Sequence, residues 1–333
     1  MFGLTGNSAT RKFVAGGPLQ RTEKSGWLQR EQAIMGTAIA VELWCDDRDE
    51  GRAAIGAVMA EMHRIDFTMS PHKPESELSR INRDAAKAPM RISTEMFQLL
   101  TRAVHFSQLS DGAFDITYAA MGRLFDYRQG TRPCQQALDA ARAAVGYRNL
   151  MLDPHTQTVH FAKEGMCIDL GGFAKGYAVD NATAILQRRG IAHANVSAGG
   201  DSRVMGDRRG RPWTIGIRDP REPEQVVALL PLEDTSISTS GDYERYFEAD
   251  GQRFHHLMDP ATGQSPSSLR SVTVLGEDGL STEAFSKCVF VMGLERGMQL
   301  IESQGTLDAV VVDASGTLHY SPGLLAPTQQ TRQ

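Results

Sequence analysis

Strand-like and helix-like segments interleave along this chain without the strict β-α-β alternation that builds a doubly wound sheet, and the pattern therefore selects an α+β fold. Thr37 to Trp44 alternates like a strand, and Arg52 to Ile65 sets Ile55, Val58, Met59, Met62 and Ile65 on one helical face. Ser93 caps a second helix running to about Leu109, stopped by Asp111-Gly112. A third spans Gln135 to Val145 before Gly146, and a fourth runs from about Ala174 to Arg189 with Gly190 just past its end. Leu150 to Leu152, Thr158 to Phe161 and Met166 to Leu170 look like strands, as do Trp213 to Ile217, Val226 to Leu230 and Ser271 to Leu275. Thr282 to Met292 and Leu294 to Ser303 read as helices, and Asp308 to Val312 with Leu318 to Tyr320 as a closing hairpin. No linker or repeat divides the 333 residues, so residues 29–325 are expected to form a single compact domain of mixed sheets with flanking helices. Residues 1–28 are expected to be disordered, with order starting near Glu31, and 326–333 to form a loose tail.

Charge narrows the function. A net charge of −5, with no basic run interleaved with aromatics, excludes an electrostatic nucleic-acid binder. No stretch reaches the length of an apolar membrane span, and the amino terminus lacks a secretory apolar region or a cysteine for lipid attachment. A cytoplasmic protein is expected as the sequence stands, and a periplasmic one if the true start differs. Cys45, Cys134, Cys167 and Cys288 show no metal-binding spacing and read as small buried hydrophobes, with one disulfide left open.

The chemistry concentrates in two places. Thr239-Ser240-Gly241-Asp242-Tyr243-Glu244-Arg245 is followed by an Asp250-Gly251 hairpin signal and then His256-Leu257-Met258-Asp259-Pro260-Ala261-Thr262-Gly263. Read as a turn between strands, Thr239-Ser240-Gly241 offers donors for phosphate oxygens, and a histidine can move a proton. Taken one by one, these are also ordinary turn residues. Asp169 to Asp180 (DLGGFAKGYAVD) runs from a strand into a helix, where glycines, free N–H groups and Lys175 suit a phosphate. Its spacing matches neither GxGxxG nor GxxxxGK[ST], and a plain strand–helix turn fits it equally well.

These segments, with Met35-Gly36-Thr37, Ser76 to Asn82, Gly112-Ala113-Phe114-Asp115 and Gly199-Gly200-Asp201, resemble one family, the FAD:protein FMN transferases of the ApbE type. The resemblance runs from about Met35 to Gly293, seven short motifs in the family's order. It implies a single ApbE-like domain and a reaction that splits FAD at its pyrophosphate. FMN passes to a Ser or Thr hydroxyl of an acceptor protein as a phosphoester, and AMP leaves. By resemblance, His256 deprotonates the attacking hydroxyl, while Lys175, Asp180, Thr239, Ser240 and Gly241 lie where FAD is held. Met35, Ser70, His72, Glu77 and Asp115 fall among the nucleotide-pocket positions. Asp259 is counted with them and, with Thr262, shapes the turn behind His256.

Two departures stand out. Where the family has Tyr two residues after the serine, this chain has His72, which can still stack on a ring. The family binds magnesium through a late Ala-Asp-Ala, a Thr four residues beyond the Asp, and a backbone carbonyl that falls here at Ala174. This chain has Thr282-Glu283-Ala284 and then Lys287. Glu283 can supply a carboxylate, whereas a protonated lysine offers no oxygen and repels a divalent ion. Magnesium is thus implied by the family and put in question by Lys287, whose ammonium could stand in for part of the metal's charge. A simple helix ion pair is the plain alternative for Glu283 and Lys287. Besides transfer, the same residues allow FAD binding without transfer, or hydrolysis of FAD to FMN and AMP.

Overall fold

The computed structural model of the chain describes residues 25–325. At its centre is an eight-stranded sheet in the order Gly26–Ile34, Thr37–Cys45, Ala194–Ala198, Asp201–Met205, Ser236–Gly241, Leu269–Gly276, Asp308–Asp313 and Leu318–Tyr320. Every pairing in it is antiparallel, so the mixture lies in how helices and strands succeed one another and not in strand direction. Tight turns enforce this, because a two-residue connection can only return a strand antiparallel. Ile34 pairs with Thr37 across Met35-Gly36, whose φ values of 54° and 70° are the left-handed pair that matches strand twist. Ala198 pairs with Asp201 across Gly199-Gly200, and the Gly199 N–H donates to Ala38 O at 3.0 Å. Both turns therefore lie at one end of the sheet, and Thr239 joins them by donating its N–H to Gly200 O at 2.9 Å.

The helices Arg48–Met69, Ala174–Arg188 and Gly279–Met292 pack on this sheet and on one another. Val41, Leu43 and Val196 meet Val58, Met62, Val179, Ala182 and Val289 in one dry core. Each of these side chains is fully buried, which is what the apolar stripe on each helix requires. The helix ends follow local capping chemistry. Ser93 Oγ accepts from Met96 N at the start of Thr94–Leu109, and Gly190 sits at φ 73° after Arg188.

Four expectations change. The first strand begins at Gly26, ahead of residue 29 and of Glu31, because Trp27 packs edge-on against Trp44 and Trp213. Met166 to Leu170 is not a strand: Asn82 takes both backbone groups of Ile168, at 2.8 and 2.9 Å, so no ladder forms there. Thr239-Ser240-Gly241 is no turn but the end of a central strand, paired with Val272 and its neighbours. All four cysteines are free, and Cys134 is exposed instead of buried. Residues 1–24 and 326–333 lie outside the described residues. Among the described residues no helix is long and apolar enough to cross a membrane.

Candidate active site

Two helix N-termini meet below the glycine turns. A Cβ on Gly176 would lie 2.1 Å from Gly279 O, so only glycine permits the approach. Each helix then caps the other. Glu283, from Gly279–Met292, accepts from Gly176 N at 2.7 Å, and Asp180, from Ala174–Arg188, accepts from Gly279 N and Leu280 N at 2.7 and 2.9 Å. These are the first-turn donors that a helix leaves without internal partners.

Lys175 projects into the same junction. Its Nζ donates to Asp201 Oδ2 at 2.5 Å and to Glu283 Oε1. Lys287, one turn after Glu283, places its Nζ 3.3 Å from Glu283 Oε1 and 3.2 Å from Glu283 O. Burial pushes the Glu283 carboxyl up, but Lys175 and Lys287 outweigh it and hold the group below its ordinary range. Asp201 ends above its range, because burial and the Glu283 charge exceed the pull of Lys175. Lys175 stays charged despite burial, since Asp201 and Glu283 hold its ammonium above the usual lysine value.

The Asp250-Gly251 signal produces the expected hairpin, Tyr246–Ala249 with Gln252–His255. At its end, adjacent histidines go separate ways. His255 packs edge-on against Phe290, centroids 5.5 Å apart, with Nε2 2.8 Å from Pro266 O. His256 donates its backbone N–H to Arg245 O at 3.0 Å, while its buried Nδ1 has no partner among the described residues. Burial first, then the charges of Lys287 and Arg245, push its pKa down to about 3. The imidazole is therefore neutral at ordinary pH, and in the unliganded protein it is a weak base.

That shift makes a stability prediction. The native ring refuses a proton that the unfolded chain, at the ordinary histidine value of 6.5, takes up. Its contribution is present above pH 6.5 and is lost as pH falls toward 3. His256→Gln is expected to remove on the order of 2 kcal/mol of the stability lost between pH 6.5 and 4.5. Urea unfolding of both proteins at the two pH values measures it; equal losses would refute the shift.

The hydroxyls of the central strand do not form a loop of free donors. Ser238 Oγ pairs with Thr282 Oγ1 at 2.9 Å and Ser240 Oγ with Ser286 Oγ at 2.7 Å, both against the Gly279–Met292 helix. On the other face Thr239 Oγ1 meets Thr273 Oγ1 at 2.9 Å. Their side chains join strand to helix and strand to strand, in place of the free donor set expected. Gly241 leaves room for the Tyr243 ring, which would lie 2.3 Å from a Cβ.

Four acids expected to face the nucleotide make hydrogen bonds within the fold. Glu77 accepts from Ser93 N and Ser93 Oγ, at 2.6 and 2.7 Å. Asp115 takes Thr117 N, Thr117 Oγ1 and Tyr147 N. Asp180 caps the partner helix as described, with burial raising its carboxyl to about 6 against those two N–H bonds. Asp259 holds Ala261 N and Thr262 Oγ1 in its own turn, behind His256. Ser70 ends the Arg48–Met69 helix and receives the His72 N–H on its Oγ at 3.2 Å. His72 is exposed beside Asp169, and half-buried Met35 forms the first turn of the sheet. Ala174 opens its helix next to Lys175.

Sequence reasoning gave no role to Asp201 or Arg245. Asp201 is the anchor of Lys175, and Gly-Gly-Asp after a short strand was the available signal. Arg245 is exposed, leans over the Met35-Gly36 turn, and is a cationic neighbour of both His256 and Asp169. Lys175, Asp201, Glu283, Lys287, His256 and Arg245 thus form one group, with two buried carboxylates, three cations and a neutral base.

The family model of the ApbE family matches residues 35–311, a span that contains every residue of that group. The chain belongs to the ApbE family. The FAD:protein FMN transferase of Klebsiella pneumoniae (strain 342) is 30% identical over 283 residues, covering 84% of this chain and 87% of that protein. The FAD:protein FMN transferase of Vibrio cholerae (O395) is 33% identical over 249 residues, 73% of this chain and 74% of that one. Among solved structures, the ApbE protein of Thermotoga maritima superimposes with a TM-score of 0.83 at 31% identity, over 90% of this chain and 98% of that one. Flavin transferase ApbE from Vibrio cholerae gives 0.80 at 27% identity, over 90% and 99%. The ApbE fold thus accounts for nearly all of the described residues.

Proposed function

We infer that this ApbE-family chain is an FAD:protein FMN transferase, and the observation that carries the reading is a neutral, half-buried His256 beside the Lys175–Glu283–Lys287 cluster. Phosphoryl transfer needs little covalent chemistry from a protein; positioning and charge neutralisation dominate. A Ser or Thr hydroxyl of the acceptor protein attacks the FMN phosphorus, the bond to the AMP oxygen breaks, and His256 takes the hydroxyl proton. Bound pyrophosphate brings negative charge beside the ring, which raises the proton affinity of His256 toward the range useful for a base. Lys175, Lys287 and Arg245 face that charge.

Magnesium, which the family resemblance implies, fits these residues poorly. The ion favours a near-octahedral shell of oxygens. Glu283 Oε1 is shared by two ammonium groups and Oε2 by Gly176 N–H, leaving Asp201 Oδ1 as the cluster's buried carboxylate oxygen without a partner. Among the described residues no group of three or more His, Cys, Asp or Glu could hold a metal ion. No step here is routed through one.

The decisive experiment incubates the protein with FAD and a candidate acceptor and reads intact mass. Covalent FMN on the acceptor means transfer, free FMN and AMP mean hydrolysis, and unchanged FAD means binding alone. The protein is also expected to bind FAD at about one per chain and NAD at least tenfold more weakly, since it lacks the dinucleotide fingerprint. Calorimetry showing equal affinities would remove the FAD reading.

A further inference from the structure

We propose that the ammonium groups of Lys175 and Lys287, gathered on Glu283, supply the positive charge at the scissile pyrophosphate in place of a divalent cation, so that this chain transfers FMN without one. The proposal rests on the transfer reading above.

Three observations carry it. First, the junction is already balanced: two lysines against Asp201 and Glu283, with Lys175 bridging both acids and Lys287 on the same Glu283 oxygen. A divalent ion entering there finds the formal charges already balanced, with Asp201 Oδ1 the cluster's one buried carboxylate oxygen without a partner among the described residues, and meets two like charges at contact distance. Second, the balance is directional. The acid side chains are 3% and 0% exposed, whereas Lys175 and Lys287 are 25% and 16% exposed, so the lysine side chains, and not the acids, border solvent. Third, the charges of Lys287, Arg245 and Lys175 all act on His256, so the cluster and the base share one site.

The roles divide by geometry. Glu283 orients: its Oε2 is fixed by Gly176 N–H and its Oε1 holds the two ammonium groups a short distance apart. Asp201 keeps Lys175 from swinging away. When the hydroxyl oxygen bonds to phosphorus and the bond to AMP breaks, charge builds on the phosphate oxygens and the leaving oxygen. Hydrogen bonds from fixed ammonium groups stabilise that charge without an ion having to be captured first. A lysine is a point charge with three donors, and two of them can reach two oxygens of one pyrophosphate.

The test uses the full chain stripped of metal, with FAD, a threonine-peptide library as acceptor, and covalent FMN on the peptides, read by mass, as the rate. Wild type is expected to keep its rate within about twofold between EDTA and magnesium, and to bind less than a tenth of a Mn2+ per chain by electron paramagnetic resonance with FAD present. Lys287→Thr, which replaces a charge by an oxygen, is expected to lose about a hundredfold in EDTA, to recover at least tenfold with magnesium, and to bind one Mn2+. Lys287→Met is expected to lose the rate in both conditions. Wild type that binds one Mn2+ per chain, or that falls silent in EDTA and returns with magnesium, overturns the proposal while leaving the transfer reading intact. If no peptide acquires FMN under any condition, the transfer reading fails instead. The Mn2+ count and calorimetric FAD affinity then decide: affinity unchanged by EDTA supports the two lysines, and a tenfold drop overturns them.

Discussion

His256→Ala is expected to lower the rate of FMN transfer by about a hundred- to ten-thousand-fold while leaving FAD affinity within a few-fold of wild type. The Nδ1 of the ring has no hydrogen-bond partner among the described residues, so loss of the imidazole removes a base and breaks no bond made by that atom. His255 provides the contrast. Its ring packs on Phe290 and binds Pro266 O, so His255→Ala opens a cavity and is expected to lower the melting temperature, with transfer per folded molecule nearly unchanged. A rate assay beside a thermal melt separates the two. Equal loss of rate in both variants, at a temperature where both are folded, would remove His256 from the role of base.

Lys175→Met is expected to destabilise the protein by about 3–5 kcal/mol and to abolish FAD binding. Removing this ammonium leaves Asp201 buried with no cation in contact, and leaves Glu283 with Lys287 alone. An uncompensated buried carboxylate costs far more than an exposed ion pair returns. The expected rescue is informative: adding Asp201→Asn to Lys175→Met recovers part of the stability, because the stranded charge is gone, and none of the FAD affinity. Urea unfolding and calorimetry measure the two quantities on the same samples. A loss below about 1 kcal/mol in the single variant would mean that Lys175 is a surface charge.

The features legible in the sequence are those that local chemistry decides. Ser93 and Gly190 mark helix ends because a cap acts within one turn, and Asp250-Gly251 marks a hairpin because the turn type demands it. Thr239-Ser240-Gly241 has the composition of a turn and sits in a central strand, because its hydroxyls find Thr273 and Ser286, 34 and 46 residues away. Glu77, Asp115 and Asp259 read as site residues from their motifs, although each is used to hold a loop or helix start. Lys175 reads as a charge beside glycines. Its partners lie 26 and 108 residues along the chain, and no local pattern couples them.

The mutual capping of the two helices also sets when this protein can exist as a catalyst. Glu283 reaches back 107 residues to Gly176, and Asp180 reaches forward 99 to Gly279. A ribosome delivers the first helix many seconds before the second, at typical rates of about 5–20 residues per second. Until then Lys175 has only Asp201 to hold it, and the bare amide of Gly176 awaits its acceptor. A nascent chain, or one cut short ahead of Gly279, therefore carries His256 and every glycine turn yet has no paired ammonium groups to set against a pyrophosphate. Assembly of this junction therefore waits on the second helix.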